Sequence, residues 1–246
     1  MRYDRNAMDE EMHETWRIWE FFGFATEGFF VEVGANDPKT LSVTWLLERV
    51  GWRGILVEPL PDKSEALRKE RPNSKVFTVA VSSEDKTGAR DFYVKGALSS
   101  LQQNIKDERT VYDFAIRVNV VTLDSLLEEA NVPRLDLVSI DTEGTEYEVL
   151  EGFDISKYQP SLILVEDVVH TLRVHNYLRH KRYRLIRRTG FNNWYVPSDS
   201  RFKTPALEKL KLFRKMYLGT PLRAYRFKRR QRKGAKSGDN GREMEP

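Results

Sequence analysis

From residue 28 onward, apolar and polar positions follow two alternating rhythms. Short apolar runs bounded by polar turns read as buried strands: "FFVEV" (29–33), "RGILV" (53–57), "KVFTVAVSS" (75–83), "LDLVSI" (135–140) and "SLILVE" (161–166). Between them, apolar residues three and four apart predict helices over "TLSVTWLLERVG" (40–51), "DKSEALRKE" (62–70), "LDSLLEEAN" (123–131), "TEYEVLEGF" (145–153) and "HTLRVHNYLRH" (170–180). Gly51 is placed to close the first of these helices, and Asp62 to cap the second. "ARDFYV" (89–94) reads as a shorter strand suited to a hairpin, "RVNVVTL" (117–123) as extended, and "YRLIRRTGFNNWYVP" (183–197) as two strands about a turn. A helix over 6–22 precedes this series, with Met8, Met12, Trp16 and Trp19 at loosely helical spacing. A Leu- and Lys-rich helix follows Pro205, ending near Leu218, and disorder is expected from Arg232.

Strands that alternate with helices predict an α/β fold with a mostly parallel sheet covered on both faces and a hairpin at one edge. The boundaries read as an N-terminal helical extension over 1–27, a main domain over 28–200, and a basic C-terminal helix and tail over 201–246. With 246 residues, 40% of them apolar, the chain can bury a sizeable core. It has no cysteine, which excludes disulfides and thiolate metal sites. Acids at Asp4, Asp9, Glu10, Glu11 and Glu14 are wrong for a signal peptide, so a soluble cytoplasmic protein is expected. The net charge of +4 hides a division: residues 201–246 carry +11 and the remainder −7. The basic tail therefore speaks for an anionic membrane surface or nucleic acid as a partner, and the acidic body for a different ligand.

In open parallel sheets, ligands bind at the carboxyl ends of the strands. Those ends carry acids: Glu32 with Gly34, Ala35, Asn36 and Asp37 after the first strand, and Glu58 with Pro59 after the second. The third offers Ala80 and Ser82, the later ones Asp141 with Glu143 and Glu166 with Asp167, and His170 follows within a turn. One glycine stands where a pyrophosphate loop needs two or three, and Asp37 would repel phosphate. Glu58 lies 24 residues after Gly34, the place where a carboxylate accepts hydrogen bonds from ribose hydroxyls. A ligand with a ribose and a positive charge but no diphosphate fits S-adenosylmethionine better than a nicotinamide dinucleotide.

"FFVEVGANDP", "GWRGILVEPLP", "VNVVTLDSLL", "LVSIDTEGTEYEVLEGFD" and "LILVED", in this order, resemble the FkbM family of methyltransferases over about residues 28–197. The resemblance implies the class I, Rossmann-like methyltransferase fold: seven strands, mostly parallel, with an antiparallel last strand and helices on both faces. It also implies an O-methyltransferase that uses S-adenosyl-L-methionine, often on hydroxyls of sugars, glycans or secondary metabolites. The expected cofactor contacts are Glu32, Gly34, Ala35, Asn36, Asp37, Glu58, Pro59, Ala80, Ser82 and Asp141. The candidate catalytic residues are Asp141, Glu143, Glu166 and His170, as bases toward a hydroxyl. No ligand spacing demands a metal, and none is assigned.

Local chemistry explains part of the same motif. Thr145 and Glu148 have capping-box spacing, and His175 and His180 read as residues of a solvated helix face. The cluster from Arg179 to Arg188 reads as a solvated basic face or a contact for an acidic acceptor. A nicotinamide-dependent oxidoreductase and an RNA-binding methyltransferase guided by the tail are the alternatives.

Overall fold

A computed structural model describes residues 10–102, 111–132, 134–167, 171–226 and 229. Seven strands form one sheet: β1 (Phe29–Val33), β2 (Arg53–Val57), β3 (Ser74–Phe77), β7 (Leu137–Ile140), β8 (Leu162–Glu166), β9 (Tyr183–Thr189) and β10 (Asn192–Pro197). Their order is β3-β2-β1-β7-β8-β10-β9. All neighbouring pairs are parallel except those of β10, which runs antiparallel to both β8 and β9. The expected hairpin lies at one edge of the sheet: β10, the antiparallel last strand, is inserted between β8 and β9, and β9 forms the edge. The order reverses between β1 and β7, so a crevice opens at the carboxyl ends of those two strands.

The alternation of side chains along each strand divides the core in two. Val31, Val33, Val138 and Ile140 pack under α4 (Leu123–Glu129), α5 (Glu146–Glu151) and α7 (Arg173–His180). Phe30, Leu56, Leu137 and Leu164 pack under α1 (Glu10–Phe21), α2 (Trp45–Arg49) and α3 (Pro61–Glu70). Helix α1 belongs to this core: Ile18 is fully buried, and Glu14 accepts hydrogen bonds from Thr189, Asn192 and the Trp194 indole. A short helix α6 (Ile155–Tyr158) precedes β8, and α8 (Ala206–Phe213) packs along β9.

Several elements differ from the sequence pattern. "KVFTVAVSS" is not one strand. It breaks after Phe77, and Ala80–Val81 (β4) joins a second sheet of order β4-β6-β5, with β5 at Gly88–Val94 and β6 at Phe114–Val121. The helix over 40–51 shrinks to five residues, because Ser42, Val43 and Thr44 donate to the Glu32 carboxylate instead of joining a helical ladder. Helix α3 starts at Pro61, whose fixed φ suits a first helical position, so Asp62 lies inside the first turn. The π-helical turn Arg214–Leu218 does not end the last helix, which continues through residue 226. The region expected to be disordered from Arg232 lies outside the described residues.

Candidate active site

The turn after β1 is built on Gly34. Its φ is +87°, and a β-carbon there would stand 1.8 Å from the Asp141 carbonyl oxygen. The glycine is thus required first by the close approach of the β1 and β7 ends, before any ligand is considered. Asn36 follows in the left-handed region with φ 46°, and Glu143, on the opposite side of the crevice, has φ 56°. Two non-glycine residues held in this conformation at facing strand ends mark a site over-determined by its surroundings.

Glu58 sits at the end of β2, with 4% of its surface exposed. One carboxylate oxygen accepts the Asn36 N–H at 2.9 Å and the other the Leu60 N–H at 2.9 Å. Burial pushes its pKa above the ordinary value, and these two hydrogen bonds act against that shift. The carboxylate is fixed in direction and retains acceptor capacity toward the cleft.

On the far wall, Asp141, Glu143 and Glu166 each place a carboxylate oxygen within 4.8 Å of the others. The spacing would let them hold one divalent cation. The backbone beneath is tied by Glu146, whose carboxylate accepts the N–H groups of Thr142 and Gly144. That arrangement replaces the expected capping box: Thr145 caps nothing with its side chain, and Glu148 turns outward to Lys86 and Arg173. The Thr142 hydroxyl is buried in the cleft wall and has no partner among the described residues.

The second sheet supplies a roof. Phe92, Gly96, Ala97, Ser99 and Leu101 line the cleft, and the Ser100 hydroxyl donates to the Thr142 carbonyl at 3.2 Å. The cleft encloses about 780 Å³ of empty space, including the part open to solvent. The strand-end reading does not find the roof, since nothing in "GALSSL" fixes its distance from β7. The β5–β6 hairpin, visible as two apolar runs, is the signal that could have pointed to it.

The structure brings together Gly34, Ala35, Asn36, Glu58, Pro59, Ala80, Asp141 and Glu143 around one cleft, with Glu166 joining through the carboxylate cluster. Three expected contacts lie elsewhere. Glu32 points to the opposite face, where Ser42, Val43 and Thr44 donate to it and Arg71 offsets its charge. Burial raises its pKa all the same. The Asp37 carboxylate accepts the N–H groups of Lys39 and Thr40, holding the turn rather than lining the cleft. Ser82 is fully buried beside Gly152, beyond the cleft floor. His170 lies outside the described residues.

A seven-stranded sheet whose antiparallel strand is inserted next to the edge, with an acid closing the second strand, defines a class I methyltransferase fold. The chain belongs to the FkbM methyltransferases: the methyltransferase FkbM domain matches residues 32–185. No curated protein matches the chain significantly. Among solved structures, it is similar to the N-terminal domain of human METTL16 in complex with SAH, at 11% identity and a TM-score of 0.42, over 76% of this chain and 68% of that one. A methyltransferase from Geobacter sulfurreducens aligns at 12% identity and a TM-score of 0.39, over 74% and 77% of the two chains. TrmK of M. capricolum with S-adenosyl-homocysteine aligns at 8% identity and a TM-score of 0.37, over 69% and 61%. Among the described residues, no helix is long and apolar enough to cross a membrane.

Proposed function

We propose that this chain is an S-adenosylmethionine-dependent O-methyltransferase acting on a hydroxyl of a sugar, a glycan or a related metabolite. One observation carries the reading. A directed, buried carboxylate, Glu58, follows β2 on one side of the crevice, and a cluster of three carboxylates, Asp141, Glu143 and Glu166, lies at the ends of β7 and β8 on the other. Glu58 suits a pair of ribose hydroxyls. The unpartnered Thr142 hydroxyl and the turn over Gly34, Ala35 and Asn36 offer polar contacts of the kind an amino-acid moiety needs. These residues fit the cofactor, which when bound would supply a methyl group on a sulfonium.

Each residue then has a distinct task. Glu58 orients the nucleoside by accepting hydrogen bonds. The apolar side chains of Leu60, Phe92 and Leu101 exclude water from the cleft. A hydroxyl is a weak nucleophile until its proton begins to leave, so a carboxylate oxygen of Asp141, Glu143 or Glu166 would accept the proton of the acceptor hydroxyl. Holding the acceptor hydroxyl in a fixed orientation toward the cofactor would supply much of the acceleration. The test is incubation with methyl-labelled S-adenosylmethionine and fractionated glycans, lipids and RNA. Label in a base-stable ether on a glycan or small hydroxylated acceptor supports the reading. Label in RNA bases alone would overturn the O-methyl assignment.

A further inference from the structure

A second cavity lies apart from the cleft, between α1, the edge strand β9 and α8. Its walls carry Arg17 from α1, Arg187 and Arg188 from β9, Lys211 from α8, and Lys215 from the π-helical turn that continues α8. Glu208 is the single carboxylate among the lining residues, 4.0 Å from Lys211. Five cations thus face one acid across about 950 Å³ of empty space, part of it open to solvent. Burial holds Arg187, Arg188 and Lys215 below their ordinary pKa values; Arg17 adds to the shift at Arg187 and Arg188 to that at Lys215, while Glu20 and Glu208 oppose it at Arg187 and Asp167 opposes it at Arg188. The Arg188 guanidinium donates to the Asn193 side-chain oxygen at 2.6 Å and to the Asp167 carbonyl at 2.7 Å, and its Nε is buried with no partner among the described residues. Arg187 lies over the Trp194 ring, so the exposed Arg17, Lys211 and Lys215 are the cations open to a ligand; like charges gathered in this way are stabilised by a counter-ion such as a phosphoryl group.

The outer face of the same helix indicates where such a group comes from. Leu207, Leu210, Phe213, Leu218, Leu222 and Tyr225 are exposed at intervals of three to five residues, about one per helical turn. Leu212, Met216 and Thr220, four apart, are buried against the body. Arg214 and Arg226 are exposed on the same helix. A helix with an open apolar stripe and exposed basic residues is suited to lie in the interface of an anionic membrane.

We propose that this cavity binds a phosphoryl group carried by the headgroup of an anionic lipid, on whose surface α8 lies. The proposal does not depend on the methyl-transfer reading, because none of the cavity residues lines the cleft.

The experiment uses the full chain, inorganic phosphate, and phosphatidylcholine vesicles with and without phosphatidate. Inorganic phosphate should raise the thermal midpoint, and the double variant K211Q/K215Q should abolish that rise. Sedimentation with phosphatidate vesicles should weaken about thirtyfold in the same variant, because both lysines would hold the phosphoryl oxygens by charge-assisted hydrogen bonds. K203Q/K209Q removes the same charge from the same region outside this cavity, and should lose at least about tenfold less affinity. The variant L210S/L218S should lose vesicle binding yet keep the phosphate response. Equal losses in the two lysine pairs would mean diffuse attraction and overturn the cavity. A phosphate response without vesicle binding, or with RNA competing in place of vesicles, would leave the phosphoryl site and overturn its lipid source.

Discussion

At Gly34 two constraints coincide, a left-handed φ and the Asp141 carbonyl where a β-carbon would stand. Gly34→Ala should destabilise the fold by about 1–3 kcal/mol from backbone strain alone, with steric overlap added. An unchanged urea midpoint would show that β1 and β7 separate more easily than their geometry implies. Glu58→Ala should weaken S-adenosylhomocysteine binding by about 1–3 kcal/mol, the scale of lost charge-assisted hydrogen bonds. Because burial raises the Glu58 pKa above 4.5, and the ionised form accepts the ligand's hydroxyls, affinity should fall as pH drops through that raised value. Calorimetry between pH 4.5 and 7 should show this limb in the wild type and lose it in Glu58→Gln. Asp141→Asn should retain much of the cofactor affinity and lose most turnover; a near-normal rate from pH 6 to 9 would remove Asp141 from the chemistry. Gly34, Asn36, Glu58, Asp141 and Glu143 were legible as strand-end residues. Glu32 carries the same sequence signal, and only its partners Ser42 and Thr44 show that it supports the turn from behind.

Among the elements, the loop between β1 and α2 is held by a buried ionic network. Arg71, 2% exposed, donates to Glu48, Ser42, Thr44 and the Pro38 carbonyl, while Glu32 accepts from the same two hydroxyls. Arg71→Met leaves two buried carboxylates without their cation and should cost about 3–5 kcal/mol, measured by chemical denaturation. The last helix is tied in by His175, which reads as solvated in sequence but is buried between Tyr195 at 3.3 Å and Tyr217 at 3.0 Å. The sequence could not show this, since Tyr217 lies 42 residues away on an element whose docking no local pattern records. Burial first, and Arg179 second, lower the His175 pKa from 6.5 to about 4. Between those values the unfolded chain binds more protons than the folded one, so stability is full above pH 6.5 and falls as pH drops toward 4. Thermal melts at pH 5 and pH 7 should differ less in His175→Gln than in the wild type. An identical difference in both would exclude this histidine as the cause.

Across the whole molecule, the sheet has two edges, and they are treated differently. Strand β3 ends one side, while β9 ends the other and is covered by α8. An uncovered edge is a template for pairing with another chain. Removing 206–246 should therefore promote self-association at neutral pH, seen as rising light scattering, whereas removing 227–246 alone should leave the protein monodisperse to the same degree as the full chain. Equal behaviour of the two truncations would mean that α8 is not what protects β9.

The sequence by itself determined the strand and helix series, the parallel sheet class and the acids at the strand ends, because apolar periodicity and turn residues act over a few neighbours. The tertiary structure decided which strands share a sheet, sending Ala80–Val81 to a second sheet that roofs the cleft. It also decided the partners of buried polar groups: Glu14 with Trp194 across 180 residues, and His175 with Tyr217. It assembled the cationic cavity from three elements far apart in the chain. The physical reason is the same in each case. A buried polar or charged group must find its partner wherever packing brings one, and packing depends on the whole chain rather than on the residues beside it.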